Sequence, residues 1–138
     1  MKSFAATALI HAVPERIWSI LTDAPRYPEW NPTVVDVKGR IAPGERIALR
    51  VKLNPGRAFP LTVAEFEPPR RMVWRGGMPL GLFVGERVFT LTPRTNGVDF
   101  SMREEFTGLL APLIGRTLPD IQPAFDDFAE ALKREAER

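Results

Sequence analysis

The chain has 138 residues, 44% hydrophobic and 26% charged, the composition of one globular domain with no room for two full cores. It has no cysteine and one histidine, His11, which excludes disulfides, thiolate metal sites, cysteine nucleophiles and zinc sites needing several histidines. Nineteen Lys and Arg against seventeen Asp and Glu leave a net charge of +2, a weak field with mostly alternating signs, and no nucleic-acid face is read from it.

No stretch approaches the roughly 20 apolar residues of a membrane span. Lys2 precedes an apolar run at 4–10, but His11, Glu15 and Arg16 follow at once, so a cytoplasmic protein without a secretory leader is expected. Fourteen prolines, about twice the usual share of roughly 5%, are spread along the chain and divide it into short elements.

Residues 2–12 alternate and read as a strand. Pro14 opens a helix at its first turn, Glu15 suits the helix dipole there, and Ile17, Trp18, Ile20 and Leu21 form its apolar stripe. Asp23-Ala24-Pro25 ends it, with Asp23 expected to cap a turn, and 26–32 carries too many prolines for more than a short helical turn or structured loop. Strands are predicted at 34–37, at 47–53, where Ile47, Leu49, Val51 and Leu53 share a face, at 59–66 and at 71–75. The Arg70-Arg71 pair reads as a solvated turn at a strand entrance. Residues 76–81 read as a flexible connection. Strands at 83–91 and 98–106 flank Arg94-Thr95-Asn96-Gly97, a strong hairpin signal. From Leu110 to Leu132 the apolar residues recur at three and four, a long amphipathic helix broken at Pro119 and Pro123 into two segments; its surest part is 123–137.

Strands in a run followed by one long apolar helix argue for α+β, with an antiparallel sheet curved around the C-terminal helix. The sequence resembles the SRPBCC superfamily of START-like lipid-transfer and polyketide cyclase-like proteins, most of all the bacterial polyketide cyclase/dehydrase and lipid transport subgroup. The residues carrying the resemblance are Ile10-His11-Ala12-Val13-Pro14-Glu15-Arg16-Ile17-Trp18, Leu21-Thr22-Asp23, Tyr27-Pro28-Glu29-Trp30-Asn31-Pro32, Met72-Val73-Trp74, Gly85-Glu86-Arg87-Val88-Phe89, Glu105-Phe106-Thr107-Gly108-Leu109-Leu110 and Gln122-Pro123-Ala124-Phe125. They run in the family's order over nearly the whole chain. The resemblance implies one helix-grip domain over 1–138: a curved seven-stranded antiparallel sheet gripping the C-terminal helix, two short helices after the first strand, and a cavity between sheet and helix. It leaves function open, because one fold hosts carriers, receptors, cyclases and chaperone activators.

Alternation puts Phe83, Gly85, Arg87, Phe89 and Leu91 on one face of their strand, and Val98, Phe100, Met102, Glu104 and Phe106 on one face of the next. Each apolar face thus carries one charge, which is costly unless paired. Arg87 and Glu104 are predicted to point inward, as an ion pair with each other or as polar anchors for a ligand. The family pattern often has histidine at the Arg87 position; an arginine in its place binds carboxylates in a fork and favours an acidic amphiphile such as a fatty acid or aromatic acid. Phe59, Leu61 and Val63, with Met72, Phe89, Phe100, Met102 and Phe125, form either the cavity lining or a filled core. Trp74 is core or cavity wall, Trp18 packs in the core, and Trp30 packs over the helix pair. His11 is expected at the surface, and no catalytic role is assigned to it or to Asp23 and Glu29. Residues 76–83 are not a phosphate loop and read as an apolar gate or an ordinary hairpin loop.

The ligand-binding set is therefore Arg87, Glu104, Trp74, Phe59, Met72, Phe89, Phe100, Met102 and Phe125, with no catalytic or metal residue assigned and no cofactor expected. The first functional reading is binding, or transport, of a small hydrophobic or amphiphilic molecule in the internal cavity. The alternatives are a cyclase or dehydratase in which Arg87 polarises a carbonyl and Glu104 moves a proton, and a protein-interaction module. The expected partner is that small molecule, with no nucleic acid and no stable membrane insertion. Edge strands leave both monomer and homodimer open.

Overall fold

The computed structural model describes residues 3–138. Strand β1 (Ser3–Ile10) is followed by helices α1 (Pro14–Leu21) and α2 (Tyr27–Trp30), with a 3-10 turn at Ala24–Arg26 between them. Six strands follow: β2 (Val34–Gly39), β3 (Arg46–Val51), β4 (Phe59–Glu67), β5 (Arg71–Gly77), β6 (Val84–Arg94) and β7 (Gly97–Thr107). Helices α3 (Ala111–Gly115) and α4 (Gln122–Ala136) close the chain. The seven strands form one antiparallel sheet in the order β1-β7-β6-β5-β4-β3-β2. β1 returns to pair with β7, and β2 is left at the far edge. This is the helix-grip architecture.

Alternation builds the core. Phe4, Ala6 and Ile10 of β1 are buried while Ala5, Thr7 and Leu9 are exposed. On α4, Phe125, Phe128, Ala129, Leu132 and Ala136 recur at three and four and are buried. The small Ala129 and Ala136 let the helix lie close, against β1 and also against α1 and β7. Arg16 of α1 fixes the last turn of α4, its Nε–H donating to the carbonyl of Ala136 at 2.7 Å. Cations at a helix C-terminus satisfy carbonyls left without intrahelical partners.

The elements differ from the sequence expectation at five places. The long C-terminal helix is two helices, but the break is residues 116–121, and Pro123 lies in the first turn of α4, where its missing N–H is harmless. Leu53 lies beyond the end of β3, in the exposed connection to β4. Gly76 and Gly77 belong to β5, paired with Gly85 and Val84, and are not part of a loop. Asp23 stands at the start of the 3-10 turn without a capping side-chain hydrogen bond. In β4 a bulge at Ala64 adds one residue between Val63 and Glu65, so Val63 and Phe66 both face the core, opposite Trp74 and Met72. Lys2, placed by the sequence in the first strand, lies outside the described residues.

Candidate functional site

The β6 and β7 ladder runs without a register shift from Val84 opposite Thr107 to Arg94 opposite Gly97. The side-chain faces read from alternation are therefore kept. Trp74, Arg87 and Glu104 stand opposite one another across β5, β6 and β7, and Phe4 of β1 continues the row. The next row is Met72, Phe89 and Met102, and beyond it Phe100 stands opposite Leu91.

Arg87 Nε–H donates to Glu104 Oε1 at 2.7 Å, with the two side chains 13% and 15% exposed. The Arg87 guanidinium also lies over the Phe125 ring, 4.8 Å from its centroid, a cation–π contact that ties the sheet to α4. The bond to Glu104 uses only one of the five N–H groups of the fork, and the Nη groups make none with the described residues. Beside Arg87, Trp74 is buried, and its indole Nε1–H has no acceptor among the described residues.

Four aromatic rings roof the pair. Phe83 stacks on Phe106 at 5.4 Å, Phe106 meets Phe4 edge-on at 6.4 Å, and Phe4 meets Phe125 at 6.2 Å. Gly85 makes room for this roof. A Cβ there would come 3.2 Å from the Phe106 ring and 3.9 Å from Glu104 Oε2. Under the roof, Trp74 and Phe89 are 4.7 Å apart, and Phe128 of α4 meets both Phe89 at 6.0 Å and Phe100 at 6.4 Å.

The structure thus gathers Arg87, Glu104, Trp74, Met72, Phe89, Phe100, Met102 and Phe125 between the sheet and α4. Phe59 stands apart, half-buried at the start of β4, with the Arg57 guanidinium 4.9 Å from its ring centroid. Trp18 is buried against Phe66 at 5.3 Å, and Trp30 packs on Phe128 at 5.6 Å. His11 is exposed, its Nδ1–H donating to the Asn96 carbonyl at 2.9 Å, and Glu29 pairs with Arg26 at the surface. Open clefts indent the surface of the described residues. One of about 330 Å3 lies on the convex side by Thr62, Arg75, Gly76, Met78 and Val84. Another, about 180 Å3, lies between Arg16, Asp23, Arg26, Trp30 and Glu135. Neither borders Arg87 or Glu104.

Sequence reasoning missed Tyr27 as a neighbour of this site. Tyr27 is buried, its O–H donates to the Leu21 carbonyl at 2.6 Å, and its ring lies 6.2 Å from Trp74. Burial pushes its phenol far above the usual tyrosine range, and the Arg87 charge pulls it part of the way back. Asn31 is also buried; its Oδ1 accepts from the Thr33 amide at 2.9 Å and the Thr33 hydroxyl at 2.7 Å, while Nδ2 is unpartnered among the described residues. The only signal for either was the Tyr27-Pro28-Glu29-Trp30-Asn31-Pro32 motif, which spoke for fold.

The fold is widely shared among solved structures. A Mesorhizobium loti protein, MLL2253, superposes with a TM-score of 0.74 at 19% identity, over 96% of this chain and 95% of its own. The Aha1 dimer from Colwellia psychrerythraea gives 0.74 at 20% identity, over 99% and 97%. The di-domain ARO/CYC StfQ from the steffimycin biosynthetic pathway gives 0.72 at 16% identity, over 98% of this chain and 50% of its own. No curated relative matches the chain. At the level of sequence, the model of the family described as polyketide cyclase / dehydrase and lipid transport matches residues 1–137. With the seven-stranded grip around α4 and the match from end to end, the chain belongs to the polyketide cyclase/dehydrase and lipid transport family.

Proposed function

We propose that the protein, acting as one domain, binds a small amphiphilic molecule between the sheet and α4, with the acceptor-bearing end of the ligand at Arg87. The observation that carries this reading is the unused donor capacity there. Arg87 gives one N–H to Glu104, and the buried Trp74 indole N–H beside it has no acceptor among the described residues. Buried donors without acceptors are costly, so a carboxylate or carbonyl that reaches these donors is stabilised by them. Glu104 holds the guanidinium in place and offers its second oxygen to a ligand hydroxyl. The apolar body of the ligand lies along Met72, Phe89, Phe100 and Met102, reached when Phe83, Phe106 and Phe125 part. Aromatics and methionines suit a lining that rearranges around its guest.

The test is a thermal-shift panel of fatty acids, aromatic acids and their methyl esters on wild type and Arg87→Met. A ligand at about 100 times its Kd adds roughly 2.7 kcal/mol, or about 5–10 °C for a chain of this size. The expected result is a shift with acids, smaller with esters, and absent in Arg87→Met. Acids that shift the variant as much as the wild type would sink the assignment of Arg87.

A further inference from the structure

The large apolar side chains left exposed among the described residues are unevenly placed. Leu53, Met78, Leu80, Leu109 and Leu113 all lie at the end where the β3–β4, β5–β6 and β7–α3 connections meet, and Leu9 and Val13 lie elsewhere. Leu80 is 95% exposed and is held at φ +61°, a left-handed conformation that leucine rarely adopts. An outlier of this kind is grounds for asking what the residue does. Its segment is joined to the one bearing Leu109. The Leu110 amide donates to the Leu82 carbonyl at 2.8 Å, and a Cβ on Gly108 would come within 2.6 Å of the Gly81 carbonyl oxygen. Leu80 and Leu109 therefore project from one surface.

Charge at this end is mostly positive. Segments 52–64, 76–85 and 106–121 contain Lys52, Arg57 and Arg116 against a single carboxylate, Asp120. The two surplus positive charges equal the net charge of the whole chain. Asp120 is already engaged, accepting from the Gln122 amide at 3.1 Å. None of the three cations forms an ion pair with another described residue. Elsewhere several cations pair, as Arg94 does with Asp99 and Arg70 with Glu67, although Lys38, Arg40 and Arg46 at the opposite end form no ion pair among the described residues.

We infer that this end docks on an anionic lipid bilayer. Leucines projecting from loops enter the boundary between headgroups and acyl chains, and the unpaired cations meet anionic headgroups. The partner is a bilayer and not a protein, because separate protruding side chains beside unpaired cations match a deformable anionic surface. The chain lies on the membrane without crossing it, since no helix among the described residues is long and apolar enough to span one. The inference stands apart from the ligand reading, since docking needs no occupant at Arg87.

Vesicle flotation tests it, with phosphatidylcholine alone and with added phosphatidylglycerol. Wild type is expected to float with the anionic vesicles and to be released by salt. Leu80→Asp/Leu109→Asp is expected to bind about tenfold more weakly or worse, and Lys52→Glu/Arg116→Glu to lose the preference for phosphatidylglycerol. Arg87→Met is expected to float like wild type, which separates docking from ligand binding. All four side chains are exposed, so circular dichroism melts of both double variants should be no lower than that of wild type. Wild type that floats with neither vesicle, floats equally with both, or floats with its leucine and charge variants unimpaired overturns the inference.

Discussion

Arg87 and Glu104 show how strongly a charge is held once it is placed among aromatic rings. Each is mostly buried, each is the other's ion-pair partner, and Phe125 covers the guanidinium. Removing Arg87 alone leaves a carboxylate beneath the roof of Phe4, Phe106 and Phe125. The expected cost of Arg87→Met is about 2 kcal/mol, below the figure of about 3–5 kcal/mol for fully buried pairs because both groups keep some solvent. Arg87→Met with Glu104→Leu removes both charges and should recover most of that loss. Urea denaturation of the single and double variants measures the coupling, and strictly additive losses would show that the pair is solvated and independent. Tyr27 answers to pH in the opposite direction from a carboxylate. Its phenol ionises near pH 10 in the unfolded chain and only well above that in the folded one. Stability linked to it is fully present below pH 10 and is lost as pH rises beyond that point. Tyr27→Phe should therefore flatten the alkaline decline in Tm. At neutral pH the same change should cost about 1 kcal/mol, because the Leu21 carbonyl loses its 2.6 Å donor.

At the scale of elements, the sequence is most legible where one periodicity runs unbroken. β6 and β7 alternate without interruption around a turn ending in Asn96-Gly97, and this alternation alone puts Arg87 and Glu104 on one face. β4 was harder, since the bulge at Ala64 changes which residues face the core and leaves no mark in composition. Gly76 and Gly77 read as loop because glycine is a poor strand former. They lie in β5 because neighbours crowd them: a Cβ at Gly76 would meet Leu61 Cδ2 at 2.6 Å. The connection after them holds Leu80 in a backbone conformation suited to glycine or asparagine. Leu80→Asn should keep the turn and relieve that crowding, raising stability by about 0.5–1 kcal/mol. Chemical denaturation checks it; a loss of stability would mean that Leu80 packs against something in solution.

The whole molecule is organised by what α4 presents to the sheet. Phe128 meets Tyr27, Trp30, Phe89 and Phe100, so one helix residue joins α2 to the middle strands. The far end of α4 is pinned to the end of β1, where Glu137 accepts from the His11 amide at 2.9 Å and Lys133 donates to the Leu9 carbonyl at 2.6 Å. The helix and its apolar stripe were legible from a period of three and four. The polar neighbour Tyr27 was not, because it packs against Phe128 of α4, some hundred positions away in the chain, and no local pattern reports a long-range contact. The same geometry makes Phe128 the residue whose loss opens the interior most directly. Phe128→Ala removes a ring from between Phe89, Phe100 and Trp30 while leaving Arg87 and Glu104 untouched. The expected cost is about 3–5 kcal/mol, as for large-to-small changes in a close-packed core. If the sheet and α4 stay apart, the variant holds an apolar void beside the proposed ligand-binding face and should bind benzene-sized molecules that the wild type does not. Denaturation gives the first quantity and calorimetry with such probes the second. A cost under about 1 kcal/mol would mean that α4 is loosely held and the interior repacks freely.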